Sequence, residues 1–340
     1  MAVVLIEGWD YHKNNANVDL NVSGGQGWSA GGFGTATIPS AASDPFSRQY
    51  LACATNNAMR SYVFTGNAEC VVSTWFRSPS TVNHFYLEFA NSDLFANHIS
   101  LHGGQNRNGS FRIMPNNGVP MFSTVGGGGV IKGVWQFLQM YVKISDTVGA
   151  VKIELDGMTL CDKTNIDTRT GSGNIDVGRV SLLGICDWGD TIIRTGVSTF
   201  LKPFEVVPFT PNGDGGTLNF TATGGSTHYT EVDDGASPDD ATTYVSSNTV
   251  GHIDKYTMPD NSDTRTILGV QLQVRGENNA SSTNKLITRL EDGTNVVSSA
   301  AMTGVSGYRF FSYVRELAPD GTSWDDTDLD NLIASLEISA

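Results

Sequence analysis

Val151-Lys152-Ile153-Glu154-Leu155 alternates apolar and charged side chains, Asp156-Gly157 follows at once, and Met158-Thr159-Leu160 comes next. A period of two puts every second side chain on one face, which a half-buried strand can use and a helix cannot. Asp-Gly tolerates the positive φ angles of a tight two-residue turn. The segment is therefore predicted to be an antiparallel hairpin, and the same signals recur along the chain. Val71 to Phe76 is β-branched and aromatic; Phe85, Leu87 and Phe89 alternate with Tyr86 and Glu88. Phe137 to Ile144, Val180 to Ile185, Ile267 to Arg275 and Tyr308 to Val314 also read as strands, and Leu286 to Glu291, Asp292-Gly293 and Asn295 to Val297 as another hairpin.

Between these strands the punctuation is dense: Gly24-Gly25, Gly31-Gly32, Gly103-Gly104 and Gly126 to Gly129. The last run lies between strand-like segments and reads as a mobile loop, since phosphate-cradling glycines open a helix. Composition agrees. Glycine supplies 38 of 340 residues, and only 16% are charged, against a typical charged share of about 25%. The expected class is all-β: two β-sandwich, jelly-roll-like domains with a short C-terminal helix.

The Pro/Gly-rich passage from Lys202-Pro203 to Thr210-Pro211-Asn212-Gly213-Asp214-Gly215-Gly216 marks the domain boundary. Residues 1–202 form the first sandwich and 203–340 a second, β-rich domain. Asp325-Asp326-Thr327 can cap a helix, and Leu329, Leu332, Ile333 and Leu336 then fall at i, i+3, i+4, i+7, one apolar stripe.

Several classes are disfavoured. The formal charge of −14 and a pI near 4.7, with no basic cluster, argue against nucleic acid and anionic membranes. No apolar run reaches the ~20 residues of a spanning helix. The first one, Val3 to Ile6, has no Lys or Arg before it and is not expected to be a secretory signal. Cys53, Cys70, Cys161 and Cys186 lack metal-type spacing and read as buried thiols of a protein made in a reducing cytosol, with no disulfide pairing assignable.

Chemistry finds little support in the motifs. Glu154-Leu155-Asp156 lacks the third acid of the Glu-x-Asp-x-x-Glu pattern typical of retaining glycosidases built on jelly rolls, and no Gly-x-Ser-x-Gly elbow exists. His98, Ser100 and His102 share a strand face, but i and i+4 on a strand lie roughly 13 Å apart, so an exposed polar face is expected rather than a metal. The acidic loops at Asp214, Asp233-Asp234 and Asp239-Asp240 lack spaced calcium-ligand order and read as solvated. No enzyme activity, cofactor or metal is expected. Trp75 and Trp135 sit in strand patterns and read as core. Trp28 and Trp188 sit among Gly, Asn and Asp, where each ring either stacks on a sugar or plugs a sandwich end. Trp28, Trp188, Asp187 and Asp190 are the candidate glycan contacts.

The motif order resembles that of a group of tailed-bacteriophage virion proteins. Leu5-Ile6-Glu7-Gly8-Trp9-Asp10-Tyr11-His12 is similar to their opening, Trp75-Phe76-Arg77 to their W-F-R strand, and Val151 to Gly157 to their V-x-V-x-V-N/D-G hairpin. Trp135 opens a strand through Ile144 where theirs carries W…E-x-K-x. Pro211 to Gly215, Thr227-His228-Tyr229 to Asp234, Asp239 to Val245, and Ser323-Trp324 with the terminal stripe continue the likeness, and Asp187-Trp188-Gly189-Asp190 departs from it. The resemblance implies a concanavalin-A-like (laminin-G-like) N-terminal jelly roll. It also implies a non-enzymatic virion component, tail-associated or capsid-decorating, that assembles in the bacterial cytoplasm. Its expected partners are other virion proteins, copies of itself and a host-surface polysaccharide. The alternative reading is a carbohydrate-binding module, with or without polysaccharide cleavage, acting on surface glycans.

Overall fold

Strands make up most of the described part of the computed structural model, which covers residues 2–7, 27–31, 36–37, 51–53, 59–78, 85–92, 97–105, 110–115, 121–123, 129–169, 174–235, 238–262, 264–277, 283–303 and 307–340. The chain is all-β, with one short α-helix among the described residues. It divides into two compact units, the first reaching Val206 and the second running from Val207 to Ala340. Residues 126–128, 24–25 and 8–12 of the motifs above lie outside the described residues.

The first unit is a two-sheet sandwich. One eight-stranded sheet runs Met158–Ile166, Gly149–Leu155, Trp135–Lys143, Glu69–Arg77, Cys186–Thr195, Leu51–Cys53, Ala36–Thr37, with Ala2–Glu7 also paired to Cys186–Thr195. The seven-stranded sheet runs Phe122–Ser123, Ser110–Pro115, Asn97–Gln105, Phe85–Ala90, Val177–Gly184, Met59–Asn67, Gly27–Gly31. Each described pairing is antiparallel. The alternation read in the sequence decides the inner faces. Leu87, Phe89, Ile99, Leu101, Phe111 and Leu182 are buried on the seven-stranded sheet, and Val72, Phe76, Leu138 and Val142 on the other. Each such side chain contributes about 1.5–3 kcal/mol by leaving water. Tyr62 of the seven-stranded sheet donates its hydroxyl to the Val4 carbonyl of the eight-stranded one at 2.8 Å.

The hairpin at Asp156-Gly157 forms as read, with φ of 49° and 80° at its two corners. The Asp156 carboxylate accepts from the Phe137 amide (2.8 Å) and from Gln136 Nε2 (2.9 Å), so it is committed to the turn.

The outer face of the eight-stranded sheet would expose Trp75, Phe137, Ser73, Gln139 and Val71, which share one face by register. The segment 197–206 covers it. Phe204 meets Phe137 edge-on at 5.4 Å, and its carbonyl accepts from Trp75 Nε1. Gln139 donates to the Leu201 carbonyl and accepts from its amide. Val197 and Phe200 pack on Val71 and Tyr141. The Pro/Gly-rich passage thus begins as an adhering strap, and this carries the first unit past residue 202 to Val206.

The second unit contains a six-stranded sheet, Gly213–Leu218, Ile253–Thr257, Ile333–Ser339, Lys285–Glu291, Val296–Ser298, with Met302–Thr303 also on Lys285–Glu291. Two hairpins accompany it, Thr221–Thr223 with Tyr244–Ser246 and Val270–Gly276 with Arg309–Arg315. Leu290, Ala318, Trp324, Leu329 and Leu332 form its buried cluster, with Val270, Leu272 and Tyr313 against them.

The C-terminal stripe is corrected here. The helix covers only Asp326–Asp330. Asp325 caps it, accepting from the Asp328 amide at 3.0 Å while the Asp328 carboxylate accepts from the Asp325 amide at 2.9 Å. Ile333–Ser339 is a strand, held on both sides by Ile253–Thr257 and Lys285–Glu291. Ala334, Leu336 and Ile338 also satisfy a period of two. Two waiting strand edges decide between the patterns, because pairing and burial outweigh local propensity.

Candidate functional site

Trp188 does not sit in a loop. It lies on the Cys186–Thr195 strand, opposite Phe76, with its side chain 0% exposed and its ring 6.2 Å from that of Phe76. The register slips between Trp188 and Thr191, so Gly189 and Asp190 form an irregularity within a strand. That is why the segment carries loop-like residues. A Cβ at Gly189 would come 3.0 Å from Trp75 Cβ. Asp190 is also fully buried, and its carboxylate accepts from the Val206 amide at 2.7 Å, anchoring the strap. Trp188 and Asp190 therefore present no surface to a sugar. Asp187 pairs with Arg77 through Nε (2.8 Å), and the Arg77 guanidinium lies 4.9 Å from the centre of the half-buried Trp135 ring. Burial raises the Asp187 carboxyl above its ordinary range even though Arg77 opposes the shift. Trp28 occupies a strand position opposite Tyr62, and its side chain lies outside the described residues.

A different set of polar groups converges on the outer face of the seven-stranded sheet. Register places Ser100, Glu88 and Ser181 in one row, and Arg112, His102 and the Tyr86 position in the next. Asn97 Nδ2 donates to Glu88 Oε2 at 2.9 Å, and Arg179 donates to Asn97 Oδ1 at 3.2 Å. Ser100 Oγ and His102 Nε2 share a hydrogen bond of 2.7 Å. Glu88, Asn97, His102, Arg112 and Arg179 are half-buried. Burial pushes the Glu88 carboxyl up, against Asn97 and Arg179, which favour its anion.

The expectation of an exposed polar face at His98, Ser100 and His102 is likewise corrected. His98 is fully buried and donates Nε2–H to the Asn174 carbonyl at 3.1 Å; Ser100 is buried as well. Burial lowers the pKa of His98, and burial with the neighbouring Arg112 lowers that of His102 to about 4. The His102 imidazole is therefore neutral in the folded chain near pH 6, and the shift at His98 runs in the same direction. Sequence reasoning found the Ser100 and His102 part of this face but missed Glu88, Asn97 and Arg179, which carry no spacing motif; the signal for them was Glu88 on an otherwise aromatic and aliphatic strand.

A pH prediction follows with a definite sign. The unfolded chain binds protons at these histidines near the ordinary value of about 6.5, whereas native His102 refuses one until about 4. Stability is lost as pH falls through that window. The raised carboxyls of Glu88 and Asp187 act oppositely, since their native forms take up protons first. Urea-unfolding midpoints at about pH 7 and about pH 5 should differ less in a His102→Gln variant than in the wild-type chain; an unchanged difference contradicts the assignment.

In the second unit, Asp254 is fully buried and accepts from the Phe220 amide (2.7 Å), His228 Nδ1 (2.6 Å) and the Tyr256 hydroxyl (3.0 Å). Asp214 caps the following turn, accepting from the His228 and Tyr229 amides. The acidic residues flagged in the sequence are thus partly structural: Asp214 holds this turn and Asp240 makes a bidentate pair with Arg275. Among the described residues no group of three or more His, Cys, Asp or Glu side chains is placed to hold a metal ion, and no helix is long and apolar enough to cross a membrane.

No protein-family model matches the chain, and no curated protein does. Solved structures do. The chain is similar to a Bacillus subtilis protein of unknown function with a galectin-like fold, at 10% identity and a TM-score of 0.39, over 57% of this chain and 96% of that one. It is similar to the catalytic domain of a glycoside hydrolase family 131 protein from Coprinopsis cinerea, at 13% identity and a TM-score of 0.38, over 58% and 97%. A Bacillus subtilis carbohydrate-binding module matches at 11% identity and a TM-score of 0.31, over 50% and 94%.

Proposed function

We propose that the first unit is a non-catalytic glycan-binding sandwich that uses the outer face of its seven-stranded sheet. The observation that carries this is the half-buried chain Glu88–Asn97–Arg179, with Ser100–His102 and Arg112 beside it. Sugar hydroxyls donate and accept at once, and this face offers a carboxylate acceptor, guanidinium donors, and an amide and an imidazole that do both. The bonds among these groups hold them in place before a ligand arrives, which lowers the ordering cost of binding. Glu88 is the only acidic residue in the seven strands of this sheet. Hydrolysis by a carboxylate pair needs a second acid about 5–9.5 Å away, which no strand of this sheet supplies, and release of reducing ends is the measurement that decides whether a loop supplies one.

The test is a polysaccharide and oligosaccharide array probed with the full chain, followed by calorimetry on any ligand retained. Glu88→Gln and Arg179→Lys should each weaken binding roughly 10- to 100-fold, the worth of one hydrogen bond to a charged group. Retention that both variants leave intact, or no retention of any glycan, overturns the assignment. Release of reducing ends from a retained glycan would make the protein an enzyme instead.

A second reading is compatible with the first and rests on the order of motifs from Leu5 to Trp324. It places the module on a phage-like particle, with copies of itself and other virion proteins as partners. Immunogold labelling of purified particles tests it; label on the tail or head supports it, and label on neither sinks it.

A further inference from the structure

The strand register places two of the four cysteines at directly opposed backbone positions. Cys186 opens the Cys186–Thr195 strand and lies directly opposite Cys53 at the end of Leu51–Cys53. Directly opposed residues of an antiparallel pair have Cα atoms about 4.5 or 5.5 Å apart, and both separations fall inside the about 4.4–6.8 Å that a disulfide spans. The other two cysteines have no such neighbour: Cys70 lies opposite Val142 and Thr195, and Cys161 opposite Ile153. Burial raises the pKa of both of these thiols, that of Cys161 to about 11, which suppresses the thiolate each would need in order to react.

We propose that Cys53 and Cys186 form a redox-controlled cross-strand disulfide that closes when the protein leaves reducing surroundings. Cys186 is a buried thiol in this structure. Among the described residues Leu51–Cys53 joins its neighbour through three register pairs, and Ala36–Thr37 pairs on its other side. An oxidant reaches the pair during folding, before the sandwich encloses Cys186. With glutathione disulfide as oxidant, one cysteine thiolate attacks it, forms a mixed disulfide and releases one glutathione thiolate. The second cysteine then attacks the protein sulfur of that intermediate and releases the other. Two protein thiols become one disulfide, and one glutathione disulfide becomes two glutathiones.

The bridge would pin the short strands beside Cys186–Thr195 and enclose residues 54–185 in a covalent loop. The experiment refolds the full chain from denaturant over a series of glutathione/glutathione disulfide ratios, alkylates with N-ethylmaleimide in denaturant and maps non-reduced peptides by mass spectrometry. The expected result is a single cross-linked peptide pair, Cys53 with Cys186, with Cys70 and Cys161 alkylated. The oxidised chain should melt about 5–10 °C above the reduced one, and that difference should vanish in Cys53→Ser. Alkylation of every cysteine at all ratios overturns the proposal, as does a bridge through Cys70 or Cys161. Should Cys53→Ser fail to fold, the peptide map of the wild-type chain decides alone.

Discussion

Replacing Asp254 with alanine is expected to destabilise the second unit by about 3–5 kcal/mol, the usual cost of removing one partner from a buried charged network. The side chain is wholly enclosed and serves three donors from separate places: the Phe220 amide, the His228 imidazole and the Tyr256 hydroxyl. Alanine takes the acceptor from all three and leaves the Phe220 amide and the Tyr256 hydroxyl away from water, and each buried donor left unmade costs about 1–3 kcal/mol. Burial and the adjacent carboxylate both push the Tyr256 phenol above its ordinary range, so that hydroxyl stays a donor. Asparagine should cost less, about 1–3 kcal/mol, because its carbonyl can still receive the Phe220 amide while its NH2 opposes the other two. Urea unfolding followed by circular dichroism measures both. An alanine variant within about 1 kcal/mol of wild type would show that these hydrogen bonds are not what joins residues 220 and 228 to the sheet.

What the sequence made legible was whatever depends on neighbours in the chain. The period of two in Val151–Leu155, the turn at Asp156-Gly157 and the cap at Asp325 each follow from a few consecutive residues, and each formed as read. What depends on distant residues was misread. Gly189 and Asp190 look like loop residues because one must let Trp75 approach and the other must hold Val206. Leu332, Ile333 and Leu336 look helical until two other strands present their edges. The polar face was the least legible part. Asn97 meets Glu88 across one hairpin, and Arg179 reaches Asn97 from 82 residues away. Their types are ordinary for surface positions, and only the order of strands in the seven-stranded sheet makes them one site.

Trp188→Ala should cost the first unit about 3–5 kcal/mol, the range for deleting a large aromatic from a packed core. The ring is among the largest fully buried side chains of the chain and packs on Phe76 beside the strand irregularity that anchors the strap. Little can collapse into the space, since Gly189 has no side chain to offer and Asp190 is held by Val206. Phenylalanine keeps part of the packing and should cost less than alanine. The variant also separates a core ring from a ligand-stacking one. A sugar-stacking tryptophan, once removed, leaves the unfolding midpoint nearly unchanged and abolishes binding. A core tryptophan lowers the midpoint, while the molecules that remain folded bind as before through Glu88, Asn97 and Arg179. Measuring the midpoint and the affinity per folded molecule on the same preparation distinguishes the two, and Glu88→Gln should give the opposite pattern, with folding retained and binding weakened. A Trp188→Ala protein of wild-type stability would reverse the placement of this ring, and with it the argument that moves the glycan site from the Asp187–Asp190 segment to the other sheet.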